Sequence, residues 1–480
     1  MVPPVLLSAA PITAEGAAAS LPRVGVGERI DALPARAAWR LIALVSLGGA
    51  FEFYDLMMTA YISPGLVQAG VFHTGRRGLF GQSDQAMFAS ATFLGLFLGA
   101  ILFARVADRL GRRAIFTVAL VWYAVATAAM AASNSALTID AWRMAAGVGI
   151  GVELVTIDAY VGEIAPSRMR GQAFAVNQSI QFLAVPAVAL ACWALLPLSP
   201  LGIAGWRWVM LIGASGALAV WVIRIALPES PRWLERHGRG AQAHAILDRL
   251  EGRAARGEVA SSPRAEPPPA LPPSVRRSGE GLAEAFRPPY RRRTAMLVVF
   301  NIFQAIGFYG FGNWAPSLIA AQGHSVMKSL GYAAAIAVAY PLGPLICAPL
   351  ADRFERKTLI IAAALTTACL GLAFSGQRTG AAIVGLGVAL TISNNLLSFA
   401  YHAYQAELYP TRFRAAAVGF VYAWSRLSTV ASSFAIAALL AGFGAPGVFV
   451  FIAAAMAVVI VAVGLFGPRT AGVALETLAD

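Results

Sequence analysis

The side chains with chemistry to offer are ionisable groups set inside apolar runs. Glu52 and Asp55 interrupt the run 41–64. Arg143, Glu153 and Asp158 lie in 138–161, His402 in 380–405 and Arg426 in 413–441. A charged side chain at mid-membrane depth costs about 2.5–3.5 kcal/mol on insertion scales. It persists where a partner, a watery cavity or a proton neutralises it. Glu52 and Asp55 stand three residues apart and share a helix face. With Glu153 they are the candidates for picking up and releasing a proton. Arg143 and Glu153 are ten residues apart, roughly 15 Å along a helix, so each needs a partner on another helix. Arg426 offers a fork matched to a carboxylate, either on a bound molecule or, alternatively, on Glu52, Asp55 or Glu153. Asp158 and His402 are left without an assigned role.

A second set combines amides with aromatic rings: Asn177, Gln178 and Gln181; Gln304, Tyr309 and Asn313; Asn394 and Tyr401; Trp424 beside Arg426. Hydrogen-bonding amides next to rings suit a cavity for a small polar organic molecule. Others of their kind bond neighbouring helices instead.

The elements that must position these groups follow from composition. The chain has 480 residues, 58% hydrophobic and 13% charged, a balance that would aggregate in water. About 20 apolar residues span a bilayer as a helix. Such stretches are expected near 41–64, 84–104, 114–133, 138–161, 172–196 and 206–227, then 294–320, 328–350, 358–376, 380–405, 413–441 and 446–467. The fold class is therefore an all-α membrane protein with twelve transmembrane helices. Residues 1–40 read as a cytoplasmic tail, 41–227 as an N-terminal six-helix bundle and 294–467 as a C-terminal one. Residues 228–293 read as a cytoplasmic linker with short helices (Ser230 as cap, Pro231 in the first turn) and a disordered stretch. Residues 468–480 read as a cytoplasmic tail. With the N-terminus inside, the inward regions hold 30 Lys and Arg and the outward loops 5. That bias places both termini in the cytoplasm and the protein, multi-pass, in the inner membrane; the net charge of +13 is thus a topology signal and no nucleic-acid partner is expected. Cys192, Cys347 and Cys369 show no metal or redox spacing. No metal or cofactor is expected, no nucleophile–base constellation supports an enzyme, and no P-loop string supports direct use of ATP.

The chain repeats itself. Asp108-Arg109-x-x-Arg112-Arg113 recurs as Asp352-Arg353-x-x-Arg356-Lys357, and Ala159-Tyr160-x-x-Glu163 with Pro166, Arg168 and Arg170 recurs as Ala403-Tyr404-x-x-Glu407 with Pro410, Arg412 and Arg414. Both recur at an offset of 244, which makes two pseudo-symmetric halves. Acids and arginines at matched helix ends can pair and unpair as the halves rock. Asp108, Arg112, Glu163 and Arg170, with Asp352, Arg356, Glu407 and Arg414, are the candidate gate; the alternative is loop charge that only sets topology. Gly95-x3-Gly99 and Gly147-x3-Gly151 allow close helix contact. Gly307, Gly310 and Gly312 with Pro316 allow their helix to bend.

At these strings the chain resembles the major facilitator superfamily over roughly 40–475. Ala104-Arg-Val-Ala-Asp108-Arg-Leu-Gly-Arg-Arg113 is similar to the superfamily signature between helices 2 and 3. Pro228-Glu-Ser-Pro-Arg-Trp-Leu234, Asn177-Gln178 and Pro468-Arg-Thr-Ala-Gly-Val-Ala-Leu-Glu476 resemble the sugar-porter branch. Phe51-Glu-Phe-Tyr-Asp55 and Arg143-x3-Gly147-x3-Gly151-x-Glu153 resemble the metabolite:H+ symporter branch. His402 stands where sugar porters carry a tryptophan, which points away from a hexose. The expected function is secondary active transport: symport of a small organic metabolite, an organic or aromatic acid, with a proton by alternating access. The expected partners are substrate, proton and lipid bilayer, with the protein a monomer. The alternatives are a sugar porter or uncoupled facilitator, an exporter, and a transporter-like nutrient sensor.

Overall fold

Backbone N–H and C=O groups in lipid must bond within their own segment, so each apolar run becomes a helix. The computed structural model describes residues 25–73, 82–110, 112–225, 227–252, 282–410 and 413–470, with side chains left aside at 102–110, 112–113, 116, 154–155, 217–225, 351–352 and 415. The part of the linker expected to be disordered lies outside the described residues.

The first half contains α1 (Val26–Asp31), α2 (Ala35–Gln68), α3 (Asp84–Leu110), α4 (Arg112–Ala132), α5 (Ala136–Ile164), α6 (Arg170–Phe182), α7 (Ala184–Leu195) and α8 (Gly205–Ile225). Two short helices follow, α9 (Pro231–Arg236) and α10 (Gly240–Leu250). The second half contains α11 (Tyr290–Gly312), α12 (Ala315–Ala320), α13 (Val326–Ala337), α14 (Ala339–Arg353), α15 (Arg356–Ser375), α16 (Gly380–Glu407) and α17 (Arg414–Phe466). Several expected spans are broken, and prolines account for the breaks. Proline removes an N–H and crowds the carbonyl four residues back. Pro186 thus separates α6 from α7 at Leu183, and Pro341 separates α13 from α14 at Val338. The span expected over 294–320 turns at Asn313–Trp314, just before Pro316. Within α17, Gly444 has φ +66° and Pro446 follows, so two spans join there through a non-helical residue that glycine tolerates. Leaving out the short α1, α9 and α10, and counting α6 with α7, α11 with α12, α13 with α14 and α17 twice, the described helices make the twelve expected spans.

The internal repeat survives as contacts. The Tyr160 hydroxyl donates to the Pro228 carbonyl at 2.8 Å, and the Tyr404 hydroxyl donates to the Pro468 carbonyl at 2.8 Å. Each half thereby ties the end of its fourth span to the residue that follows its sixth.

On the arginine-rich face α1 packs Val26 and Ile30, together with Leu33, against Trp233, Leu234, Ala243 and Leu247. Arg29 donates to Asp248 at 2.6 Å and to both carboxylate oxygens of Glu251 at 3.0 Å. Ser230 caps α9 by accepting the Trp233 N–H at 3.2 Å. Asp31 accepts the Ser167 N–H at 2.7 Å, which holds its carboxyl below the usual carboxylate range. The segment 25–34 therefore straps α9 and α10 to the α5–α6 turn.

Glycines bring α3 and α5 into backbone contact. A Cβ on Gly95 would lie 2.3 Å from the Met144 carbonyl oxygen, one on Gly99 2.1 Å from that of Val148, one on Gly147 2.5 Å from that of Thr92 and one on Gly151 2.3 Å from that of Leu96. No rotamer change relieves a clash with backbone. Gly147→Ala is expected to lower thermal stability in detergent by about 1–3 kcal/mol, the usual cost of overpacking. An unchanged melting temperature would show that the two helices slide apart freely.

Candidate functional site

The close α3–α5 approach sets Arg143 against α2. Its Nη1 donates to Asp55 Oδ2 at 2.8 Å, its Nη2 to the Asp55 carbonyl at 2.6 Å and its Nε to the Thr92 hydroxyl at 2.9 Å. The Thr127 hydroxyl donates to Asp55 Oδ1 at 3.1 Å. Both charged side chains are fully enclosed. This pair, contributed by α2 and α5 with support from α3 and α4, answers the need of Arg143 for a partner on another helix. Glu52 and Glu153 are buried on α2 and α5 respectively. The three candidate proton carriers are thus all inside the first half.

The second half supplies the other buried cation. Arg426 on α17 is 8% exposed. Its Nη1 donates to the Tyr309 hydroxyl and its Nη2 to the Tyr422 hydroxyl at 3.0 Å, with its guanidinium 4.9 Å from the centre of the Tyr422 ring. No described carboxylate forms an ion pair with it. The pairing of Arg426 with Glu52, Asp55 or Glu153, held open from sequence, is absent among the described ion pairs. Asp55 belongs to Arg143 instead. Guanidinium has five N–H donors, so three remain beyond the two phenols.

Around Arg426 the structure gathers several expected residues. Tyr309 meets the edge of Phe93 across the two halves, with ring centres 4.7 Å apart. Tyr401 is buried and its hydroxyl donates to Asn301 Oδ1 at 3.0 Å. His402 packs on Tyr401 at 4.3 Å and on Tyr422 at 5.5 Å. On the facing wall Asn177 Oδ1 accepts the Ser46 hydroxyl at 2.8 Å and the Gln181 amide at 3.0 Å, and its Nδ2 points at Asp158 Oδ1 at 3.5 Å. Asp158 and His402 are solvent-accessible although protein surrounds them. Asp158 of the first half lies within electrostatic reach of Arg426 of the second.

Among the described residues, side-chain hydrogen bonds also cross between the halves. Gln85 donates to Ser317 at 2.8 Å, Ser90 to the Val430 carbonyl at 3.1 Å and Ser179 to the Pro341 carbonyl at 2.6 Å. Gln85 and Ser90 belong to the end of α3 remote from the arginine-rich face.

Other expected residues sit apart. Trp424 packs on Phe420, with centres 6.3 Å apart. It is two residues from Arg426 and so on the opposite side of α17. Gln178 is half-buried, while Gln304, Asn313 and Asn394 are buried; the amide of Asn313 has no hydrogen-bond partner among the described residues. Sequence reasoning missed Thr92 and Thr127, whose only signal is a hydroxyl facing a helix seam.

Of the gate residues, Arg356 and Glu407 meet at 3.4 Å. Arg414 donates to the Tyr409 carbonyl at 3.0 Å. Glu163 is buried and Arg170 half-buried at the head of α6. The side chains of Asp108, Arg112 and Asp352 lie outside the described residues. Glu355 accepts the backbone N–H of Lys357 at 3.5 Å, capping α15, and that of Thr470 at 3.0 Å.

Comparison with known proteins places these features in context. The family described as "Sugar (and other) transporter" matches residues 41–480. The putative metabolite transport protein YyaJ of Bacillus subtilis is 30% identical, covering 94% of this chain and 96% of its own length. The niacin transporter NiaP of Acinetobacter baylyi is 27% identical over 94% of this chain and 98% of its own. Among solved structures, the xylose transporter XylE of E. coli in a partially occluded inward-open conformation superimposes with a TM-score of 0.72 at 19% identity. It covers 92% of this chain and 100% of its own, a likeness of fold.

Proposed function

The chain belongs to the sugar (and other) transporter family and is a multi-pass membrane transporter of that family, and from that premise we propose that it carries a small aromatic or other organic monoacid together with a proton. The observation that supports the anion is Arg426: a buried guanidinium whose hydrogen bonds, among the described residues, go to two phenols and to no acid. Leaving a buried charge without a counter-ion costs several kcal/mol. A substrate carboxylate would remove that cost and accept a bidentate pair of N–H bonds. Tyr309, Tyr401, Tyr422 and Phe93 supply ring faces and edges for an aromatic body. The name of the Acinetobacter relative, a niacin transporter, fits this reading.

Proton coupling is assigned to the carboxylates of the first half. Asp55 is the first of them, because a proton on its carboxyl would weaken its hold on Arg143 and so loosen α2 from α5. Glu52 and Glu153 are the companion acids. Alternating access would follow as the halves rock about the space between Asp158 and Arg426. The acids and arginines at the span ends, Arg356 with Glu407 among them, would bias one state over the other.

The test is uptake of labelled nicotinate by proteoliposomes. An inward proton gradient should raise uptake over protein-free liposomes, and a proton ionophore should abolish the rise. Uptake indifferent to the gradient removes the coupling. A protein that accumulates xylose and ignores nicotinate is a sugar porter.

A further inference from the structure

The wall opposite Arg426 carries a charge that the transport reading leaves unused. Asp158 on α5 and His402 on α16 occupy equivalent places in the two halves, at the same offset of 244 that relates the motifs. Both are solvent-accessible inside the protein. The His402 Nδ1–H donates to the Ser398 carbonyl at 2.6 Å. Asp158 lies within electrostatic reach of Arg426 and Tyr422 of the other half, and no ion pair joins it to Arg426 among the described residues. Among the described residues its one hydrogen bond is the 3.5 Å contact from the Asn177 amide. Asn177 is in turn held by Ser46 and Gln181, so this wall is braced by neighbouring helices.

Resting on the anion reading above, we propose that Asp158 is a specificity-determining residue. It makes the site take aromatic monocarboxylates that carry an N–H or O–H donor at the end away from the carboxylate, and it turns dicarboxylates away.

Arg426 and Asp158 offer a ligand complementary ends. Arg426 donates and cannot accept, while an ionised carboxylate accepts and cannot donate. A molecule lying between them satisfies both only if it presents an acceptor at one end and a donor at the other. An amino or hydroxyl group on a ring does so at the Asp158 end. A second carboxylate there meets like charge, and the donor seen at Asp158 among the described residues, the Asn177 amide, is already engaged. Discrimination by a misplaced charge is an effective route to specificity, because the wrong ligand is penalised directly. The arrangement also gives each half one end of the ligand, so a molecule that fits draws α5 and α17 together.

The experiment uses the full-length protein in nanodiscs, titrated calorimetrically with 4-aminobenzoate and with terephthalate. Wild type should prefer 4-aminobenzoate by about tenfold or more, and Asp158→Asn should bring the two within about threefold, chiefly by tightening terephthalate. Asp158→Glu should keep the preference, which separates charge from any part Asp158 has in holding Asn177. Equal wild-type affinities overturn the proposal, even if the Asn variant does not fold. So does a folded Asp158→Asn protein with the wild-type ratio. Arg426→Gln tells this failure from that of the anion reading. If it loses both ligands while the Asp158 variants discriminate like wild type, only Asp158 falls. If it binds both as wild type does, or if wild type binds neither, the anion reading falls and this proposal with it.

Discussion

Asp55→Asn is expected to abolish proton-driven accumulation of substrate while leaving exchange across the liposome membrane at equal pH. The substitution keeps the size of the side chain and removes the charge that faces Arg143 at 2.8 Å. Removing one partner of a buried pair costs about 3–5 kcal/mol, because the other charge stays enclosed without compensation. The melting temperature should therefore drop as well, and lost stability by itself would mimic lost coupling. The double variant Asp55→Asn, Arg143→Gln separates the two. With neither charge present, the enclosed cation is gone and most of the stability should return. Accumulation should not return, since no acid remains there to take the proton. A double variant that recovers both stability and gradient-driven uptake would show that the pair only holds α2 to α5. Coupling would then pass to Glu52 or Glu153. Single-site accumulation at the wild-type level in Asp55→Asn would clear Asp55 outright.

What was legible beforehand is what repeats or has a period. Twelve apolar runs made twelve spans because lipid leaves the backbone no other way to satisfy its hydrogen bonds. Gly95, Gly99, Gly147 and Gly151 announced a backbone seam through their spacing of four, and α3 meets α5 there. The recurrence of Tyr160 as Tyr404 anticipated a shared structural duty, and both hydroxyls reach a carbonyl just beyond a sixth span. Pairings between helices were not legible, since they depend on rotation and depth that no spacing along one helix records. Arg143 was known to need a partner elsewhere, but nothing in its neighbourhood singled out Asp55 over Glu52. Trp424 was grouped with Arg426 by nearness in sequence, although two residues on a helix point to opposite sides. Tyr422, four residues before Arg426, is the ring that the helix period brings to it. Asp158 went unassigned because its significance lies across the space between the halves, on a residue 268 positions away.

Arg426→Gln should weaken aromatic carboxylates by about 3 kcal/mol, roughly a hundredfold, which is the worth of a pair of hydrogen bonds to a charged group. A neutral sugar, if it binds at all, should lose far less. Arg426→Lys should not restore binding. The phenols of Tyr309 and Tyr422 fix the plane of the guanidinium, and an ammonium cannot reproduce that planar fork. Stability gives the opposite sign from Asp55. Among the described residues Arg426 has no ion-paired carboxylate to strand, so its removal relieves a desolvated charge, and the melting temperature of Arg426→Gln should stay level or rise in the absence of ligand. Bound 4-aminobenzoate should raise the melting temperature of wild type and not that of the variant. An arginine kept for architecture would behave in the other way: its loss would lower stability and weaken acids and sugars alike. One enclosed arginine paired with an acid and one hydrogen-bonded to phenols are thus told apart by the direction in which neutralising each moves the melting temperature.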